Sequence, residues 1–458
     1  MIFHLKILSW YTTSALILLK PTYGQLHPDE PARYQQLPSL REQAEIMNEW
    51  RQQRLDALPD LMKKYGVDAW LMSQREHAED TIWWSIKSAT EFAAHRRTVV
   101  LFHTNSSSLA GRPNPLLWID NTGDVWPELR QVLESYAPER IMVNTDRDIA
   151  YAGGLHVGEM DILKEELGGR WTSRFVNIPM LAVEFVSKRV PGQMKYFAKM
   201  QETIWAMLEE AFSERVVVPG KTTTEDLQWW FREKMQEQNV STWNQPRVKV
   251  LDPSSFPGWS GSDSIVQEGD VLHVDFGISA MGMHTDTQHL GYVLRASQGE
   301  RTVPEGLLVG LKKANRMQDI VLEELQVGRT GNEVLAACNR RLEEEDIEGQ
   351  IYSHPINDFA HGAGATIGFT NLPVFVPIYG ELPILPETYY SIELFARHFV
   401  PERNESLRFM LEENVFWKDD TKGWHFVRGR QERFHIVDTD RAQNHRNGVE
   451  AVFIIQQR

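Results

Sequence analysis

Four carboxylates inside apolar, strand-like segments are the residues of this sequence best suited to carry chemistry. Asp275 interrupts the run Val271–Gly277, and Asp286 follows at the start of the next apolar run. Glu393 and Glu412 each lie within a later apolar run. Because a buried carboxylate without a partner is costly and neighbouring carboxylates repel, a divalent cation is the common remedy. The pattern therefore indicates a metal site.

A histidine in a glycine-rich turn precedes the two glutamates. His361 stands in the stretch FAHGAG, where the backbone can approach another group closely. Together with the four carboxylates it makes a set of hard oxygens and one nitrogen. Such a set suits two neighbouring Mn, Co, Zn or Fe ions, and manganese is the ion we expect.

The order of these residues resembles that of the pita-bread metallopeptidases: methionine aminopeptidase, prolidase and aminopeptidase P. In that family an Asp, a second Asp, a His-x-Gly, a strand Glu and a second strand Glu follow one another as metal ligands. The stretch GDVLHVDFG over 269–277 resembles a family signature, and 192–227 resembles the start of the catalytic domain. The resemblance extends over roughly residues 40–445.

The resemblance implies a role for each ligand. Asp275 would chelate one metal, His361 and Glu393 would bind the other, and Asp286 and Glu412 would bridge the pair. A metal-bridged hydroxide is the implied nucleophile on the peptide carbonyl. Glu393 is the implied proton shuttle to the leaving amine, so the predicted catalytic residues are Glu393 and His361.

The choice between two adjacent glutamates also follows from the family pattern. That pattern places an aliphatic residue three positions after the last ligand, and Val415 stands three positions after Glu412. Glu413 is therefore left out of the predicted ligand set. Position 410, where the family often has an arginine, is Met.

Two further histidines of the family pattern lack a counterpart when His361 is taken as the ligand histidine. The position seven residues after His361 is Gly368, and segment 249–267 contains no histidine. In the family these histidines contact the substrate carbonyl and the tetrahedral intermediate. Candidate substitutes are His284, His289 and His354. Trp259 shortly precedes the first Asp strand, so the predicted substrate-binding residues are Trp259, His284 and His354.

Three functions are compatible with these features. The first is a Xaa-Pro peptidase of the aminopeptidase P or prolidase type, acting on a short proline-containing peptide. The second is a non-peptidase enzyme on the same fold with a small cationic substrate, similar to the dimethylsulfoniopropionate lyase. The absent histidines and the 15 tryptophans suit that alternative. The third is a non-catalytic binding module, but such relatives have lost ligand residues that this chain keeps.

The pattern of elements predicts two domains. Strands such as Val67–Met72 and Thr98–Phe102, which alternate with helices, predict a mixed α/β domain. Over 41–188 this domain resembles the N-terminal domain of the creatinase/prolidase type. The resemblance implies an α+β pita-bread catalytic domain over 189–458. Its predicted elements include a strand over Gly291–Arg295 and a helix opened by a capping box, whose members are Thr222 and Glu225. In relatives the N-terminal domain closes a neighbour's cleft, which implies a homodimer.

The composition and the N-terminal residues limit which partners and which cellular compartment are expected. The formal charge is −15, which disfavours nucleic acid, and the single Cys338 excludes an internal disulfide. Residues 1–24 have the layout of a signal peptide, so we expect export to the periplasm or the medium, although an uncleaved leader is the alternative. The thirteen uncharged residues Ile7–Leu19 are too few for a stable membrane span. Residues 25–40 read as a linker.

Overall fold

The computed structural model of the protein describes residues 30–105, 107–257 and 263–440. The helices in these ranges are α1 Leu40–Lys64, α2 Trp83–Ile86, α3 Val125–Tyr136, α4 Val157–Thr172, α5 Pro179–Ser187, α6 Gln193–Ala211, α7 Thr224–Glu237, α8 Glu305–Glu324 and α9 Gly331–Glu344. The strands are β1 Ala69–Arg75, β2 Arg97–His103, β3 Leu116–Asp120, β4 Ile141–Met142, β5 Phe175–Val176, β6 Arg247–Val250, β7 Val271–Phe276, β8 Ser279–Ala280, β9 Met283–His284, β10 Thr287–Val293, β11 Gly349–Ile351, β12 His354–Ile356, β13 Tyr389–Val400, β14 Glu405–Asp419, β15 Gly423–Phe426 and β16 His435–Val437.

The first sheet is mixed and has the order β3-β2-β1-β4-β5. Strand β1 pairs antiparallel with β2 and parallel with β4. Alternate β1 side chains enter two separate apolar clusters, with Trp70 in one and Leu71 in the other. Because both faces are covered, β1 is apolar throughout its centre rather than alternating. The predicted mixed α/β character of this region is confirmed.

The second sheet has the order β11-β13-β14-β10-β7-β6, with β12, β15 and β16 pairing to β13, β14 and β10. Its neighbouring strands are antiparallel except for the pair β10 and β16. The helices α8 and α9 pack outside it, and α8 contacts both β13 and β14. Strands with helices on the outer side confirm the predicted α+β fold class of this half.

Two details of the predicted elements are wrong. The strand expected over Gly291–Arg295 is β10, which begins at Thr287, because the polar residues at its start hid it from an apolar pattern. The capping box at α7 uses Thr223 and Asp226 rather than Thr222 and Glu225. The hydroxyl of Thr222 is occupied elsewhere, since it accepts a hydrogen bond from the Val218 N–H at 2.9 Å.

A buried ion cluster joins the two halves of the chain. Arg54 on α1 lies 2.7 Å from Asp358, and Arg189, between α5 and α6, lies 3.0 Å from the same carboxylate. The two arginines hold the pKa of Asp358 near 2 even though burial acts in the opposite direction. Asp358 belongs to the loop after β12, so the N-terminal half anchors a loop that borders the site described below.

The N-terminal segment of the described chain lies along α6. The backbone N–H of Ala32 donates to Glu209 at 3.0 Å, and that of Gln35 donates to Thr203 at 3.0 Å. The predicted signal peptide over 1–24, the predicted cleft residue Trp259 and the last residues of the chain lie outside the described ranges. Within those ranges, none of the helices combines the length and the apolar character needed to cross a bilayer.

Candidate metal centre

Four neighbouring strands bring the predicted carboxylates together. Asp275 lies on β7, Asp286 directly precedes β10, Glu412 lies on β14 and Glu393 on β13. Gln288 of β10 stands opposite both Asp275 and Glu412, and Glu393 stands opposite Glu412. Oxygen atoms of Asp275, Asp286 and Glu412 lie within 4.8 Å of one another. The turn at 281–282, with positive φ at both positions, reverses the chain between the two aspartates.

His354 faces this carboxylate cluster from β12. Its Nε2 lies 3.5 Å from Glu412, 3.6 Å from Asp286 and 3.9 Å from Glu393. Its Nδ1 lies 3.0 Å from the Pro355 carbonyl, which can only accept, so Nδ1 carries a proton. Nε2 is therefore the nitrogen through which His354 can bind a metal, once its own proton has left.

His361 lies at the edge of the same cluster, on the loop after β12. One of its ring nitrogens lies within 4.8 Å of ligand atoms of Asp286 and His354. Its ring packs edge-on against His354 and Trp243, with centroid distances of 4.8 and 5.0 Å. Its backbone carbonyl accepts a hydrogen bond from the hydroxyl of Tyr151, a residue of the N-terminal half. His361 is more exposed than His354 and opens onto a cavity.

Charge in this cluster is not balanced by protein groups. Burial raises the pKa of Asp275 to about 7, and the charge of Glu412 adds to the shift. Burial and Glu412 also raise the pKa values of Asp286 and Glu393 well above the usual carboxyl range. Burial acts to lower the pKa of His354, but the neighbouring carboxylates outweigh it and raise that pKa well above its usual value. The positive charges of His354, Arg247 and Lys249 thus do not offset the burial and mutual repulsion of these acids.

Divalent ions fit this site. Among the described residues, Asp286 Oδ1 and His354 Nε2 are buried without a hydrogen-bond partner. Both orphaned atoms point to a missing group, because a buried polar atom is normally paired. Carboxylate oxygens and one imidazole nitrogen are suitable ligands for Mn, Fe, Co or Zn, and two dications would neutralise four carboxylates.

A cavity of about 470 Å³ opens beside the cluster. Asp275, Asp286, Glu393 and both histidines line its floor. Aromatic side chains line its wall together with Arg247, and they are Tyr151, Trp243, Tyr352, Phe369 and Tyr379. Tyr151 comes from the N-terminal half, so one chain supplies both sides of this cavity. Its volume suits a small molecule or a short peptide.

The candidate histidines His284 and His289, and the excluded Glu413, lie outside the carboxylate cluster. His284 Nδ1 contacts the Ser279 hydroxyl at 2.7 Å, and its Nε2 lies 3.1 Å from the Asp358 carbonyl. Both ring nitrogens are therefore used within the protein, and His284 is not among the described residues that line the cavity. His289 lies on the opposite face of β10 from the cluster, where its Nε2 contacts Glu413 at 2.7 Å. Glu412 alone of the two adjacent glutamates joins the cluster.

Several polar residues around the cluster were not identified from the sequence. Gln288 and Ser391 donate to opposite oxygens of Glu412, at 3.0 and 2.6 Å. Asn414 accepts from the backbone N–H of Asp286 at 3.2 Å and donates to its carbonyl. Strand alternation could have identified two of them: Gln288 and Asn414 each follow a proposed ligand by two positions, so they lie on the same face of the sheet as that ligand.

The family comparison assigns the region that contains these residues. The model of metallopeptidase family M24 matches residues 194–415. A methionine aminopeptidase 2 of Encephalitozoon intestinalis is 26% identical over an alignment of 182 residues that covers 36% of this chain and 47% of that protein. The alignment thus spans about half the length of that relative.

Solved structures extend the likeness to most of the chain. An X-Pro aminopeptidase from Thermotoga maritima has a TM-score of 0.58 and 16% identity, over 81% of this chain and 98% of that one. A Xaa-Pro dipeptidase from Bacillus anthracis has a TM-score of 0.58 and 14% identity, over 84% and 99%. The N-terminal domain of the FACT complex subunit SPT16 from chickpea, at 0.53 and 10%, covers 85% and 97%.

At these identities the solved structures establish the fold, and the family model establishes the catalytic region. The family model and the solved structures agree with the fold and family predicted from the order of the ligand residues along the chain, so that prediction is confirmed. Residues 194–415 therefore match metallopeptidase family M24, and the chain has a pita-bread fold preceded by a mixed α/β region.

Proposed function

We propose that this protein hydrolyses Xaa-Pro peptides with two divalent metal ions held by Asp275, Asp286, His354, Glu393 and Glu412. The observation that carries the proposal is the cluster of four carboxylates, with two ligand atoms that lack hydrogen-bond partners, beside a cavity that three of the four line. Two bound dications would supply Lewis acidity for the peptide carbonyl and would lower the pKa of a water molecule. Manganese is the ion we propose first, with Co, Zn and Fe as alternatives.

His354, rather than His361, is the nitrogen ligand in this proposal. Its Nε2 faces three carboxylates, whereas His361 joins one candidate group of the three. His361 then stands seven residues after the ligand, which is the spacing of the second family histidine. The alternative register needs a histidine at Gly368, where a Cβ would lie 2.1 Å from the Ile351 carbonyl oxygen. Gly368 also has φ +81°, so no histidine fits there without rearrangement.

The remaining roles follow from position. His361 lines the cavity beside the cluster, and burial and the charge of His354 lower its pKa to about 4. It is therefore neutral at pH 7 and can hydrogen-bond a substrate carbonyl or the oxyanion that forms from it. Glu393 lines the cavity beside the cluster, where it can accept a proton and pass it to the leaving amine.

A small cationic substrate is the second candidate, and a binding module is the third. The aromatic wall of the cavity favours a cation through ring contacts, but Arg247 on the same wall disfavours it. A binding module does not require the four carboxylates that the chain keeps. We also propose that the chain is exported after cleavage near residue 24 and acts as a homodimer. N-terminal sequencing of the mature protein and light scattering in solution test those two points.

Metal analysis of the purified chain, beside peptide assays on the same samples, tests the central proposal. We expect about two metal equivalents and cleavage of Xaa-Pro dipeptides or tripeptides. Asp286→Ala should lose both. Asp60→Ala, the same change at an acid that is 85% exposed on α1, is the matched control and should lose neither.

The outcomes of this experiment separate the three candidates. If the protein binds metal but cleaves no proline peptide, the enzyme that acts on a small cationic molecule becomes the favoured function. Absence of metal after reconstitution with Mn, Co, Zn and Fe in turn would exclude both enzyme proposals and leave the binding module.

A further inference from the structure

Gln288 makes direct hydrogen bonds to two of the proposed metal ligands. It is buried on β10, at the register position opposite both Asp275 and Glu412. Its side-chain amide nitrogen donates to Glu393 Oε1 and, at 3.0 Å, to Glu412 Oε2. One neutral side chain thus uses both of its N–H groups on two carboxylates from different strands.

The two carboxylates determine which way this amide faces, because the reversed amide would direct its oxygen at both and lose both hydrogen bonds. In the observed orientation Gln288 Oε1 lies 2.9 Å from His273 Nε2, and an amide oxygen can only accept, so His273 donates from Nε2. His273 is 2% exposed, on the neighbouring strand β7, so this anchor belongs to the sheet itself.

We propose that Gln288 is a positioning residue that holds Glu393 and Glu412 in their metal-binding orientation, with His273 as its anchor. This inference rests on the proposed metal centre but not on the choice of substrate. Ser391 holds the other oxygen of Glu412, so that carboxylate is fixed at both ends. Met410 lies two positions before Glu412 and cannot donate a hydrogen bond.

A neutral donor at this place has a specific electrostatic consequence. Two dications balance four carboxylates, so a cation at position 288 would compete with the metals for the same oxygens. An amide orients Glu393 and Glu412 without cancelling their charge. The metal ions therefore meet ligands that are already oriented, which reduces the ordering cost of binding.

The test compares metal affinity in Gln288→Leu and in a matched control. Leucine has a similar size and no donor. Gln318→Leu makes the same change at another fully buried glutamine, on α8, whose amide atoms lack partners among the described residues. The metal-stripped proteins are titrated with Co²⁺, whose visible absorption reports coordination, and with Mn²⁺. Their thermal unfolding is measured without metal.

Gln288→Leu should bind Co²⁺ about 10–100-fold more weakly and should change its absorption band, while Gln318→Leu should do neither. A purely structural role would lower the unfolding temperature of the metal-free protein and leave affinity and spectrum unchanged, and that result would overturn the proposal. If Gln288→Leu does not fold, His273→Phe makes the same test, with an expected loss of about 10-fold.

The titration also separates this inference from the proposed function. Wild-type protein that binds Co²⁺ but cleaves no peptide would refute the peptidase while the role of Gln288 is still judged on affinity. Wild-type protein that binds neither Co²⁺ nor Mn²⁺ would overturn both.

Discussion

The two faces of the central strands β10 and β14 hold similar residues with different consequences. On one face, Asp286 and Glu412 belong to a cluster of four acids and one facing imidazole. On the other face, Glu413 accepts from His289 at 2.7 Å and from the Gln431 N–H at 3.1 Å. Both faces are buried and both combine carboxylate with histidine, so composition and burial do not distinguish them.

Charge balance distinguishes the two faces. His289 contacts His435 at 2.9 Å as well as Glu413, so both of its nitrogens are used. Burial lowers the pKa of His289 to about 3, which keeps it neutral. Burial raises the pKa of Glu413 well above the usual carboxyl range, although Gln431 and Arg428 act to lower it. A single buried acid can remain protonated without an ion, whereas four neighbouring acids repel one another and favour bound dications.

Exchange of each adjacent glutamate for glutamine is the strongest test of this comparison. Glu412→Gln should lose metal and reduce kcat/KM by a factor on the order of 10³, because a neutral amide would hold dications far more weakly than a carboxylate. Glu413→Gln should keep both, since an amide oxygen can accept the same two hydrogen bonds. Metal analysis and proline-peptide kinetics measure the difference, and equal losses in both variants would contradict it.

The two histidines on the metal face should differ from each other. His354→Ala should lose about one metal equivalent, because its Nε2 is the proposed ligand. His361→Ala should keep both equivalents and lower kcat by about 10²–10⁴-fold, the range typical of a lost proton-transfer or oxyanion group. Metal stoichiometry is the decisive measurement. Loss of metal in His361→Ala with full retention in His354→Ala would reverse the assignment.

The positive charge of Arg247 on the cavity wall gives a further prediction about the metal face. Arg247 lines the cavity and its charge acts on Asp275; with dications bound to the four acids, that charge would also attract a substrate carboxylate. We expect Xaa-Pro dipeptides to be cleaved in preference to their C-terminal amides. Arg247→Met should raise KM for the free acid by about 10–100-fold and leave the amide unaffected. Equal kinetics for acid and amide in the wild type would remove this role.

The stability of the metal-free protein should fall as the pH rises. Asp275 has a folded pKa of about 7, above its usual value of 3.8, so the folded state holds a proton that the unfolded state releases. Because of Asp275, the free energy of unfolding therefore falls progressively as the pH rises from about 4 to 7. The raised pKa of His354 acts in the same direction above its usual pKa. Bound metal should remove this slope. Unfolding temperatures from pH 5 to 8, with and without Mn²⁺, measure it, and a flat metal-free profile would contradict it.

Much of the fold and the carboxylate set could be predicted because both are local or periodic properties of the chain. An acid inside an apolar strand is conspicuous, and period-two alternation separates Glu412 from Glu413 onto opposite faces. The order of acids along the chain also pointed to the family that the comparisons establish. The start of β10 escaped prediction because Gln288 and His289 interrupt the apolar pattern.

Tertiary structure decided which histidine faces the acids and what holds the acids in place. The sequence pattern favours His361 as the ligand, and only the pairing of β12 with β13 brings His354 to the carboxylates. Gln288 likewise acquires its role only through the register of β10 with β7 and β14. The sequence by itself therefore determined which residues could bind metal, because side-chain chemistry is local. Strand register determined which of them meet, because contacts between residues distant in the chain depend on the whole sheet.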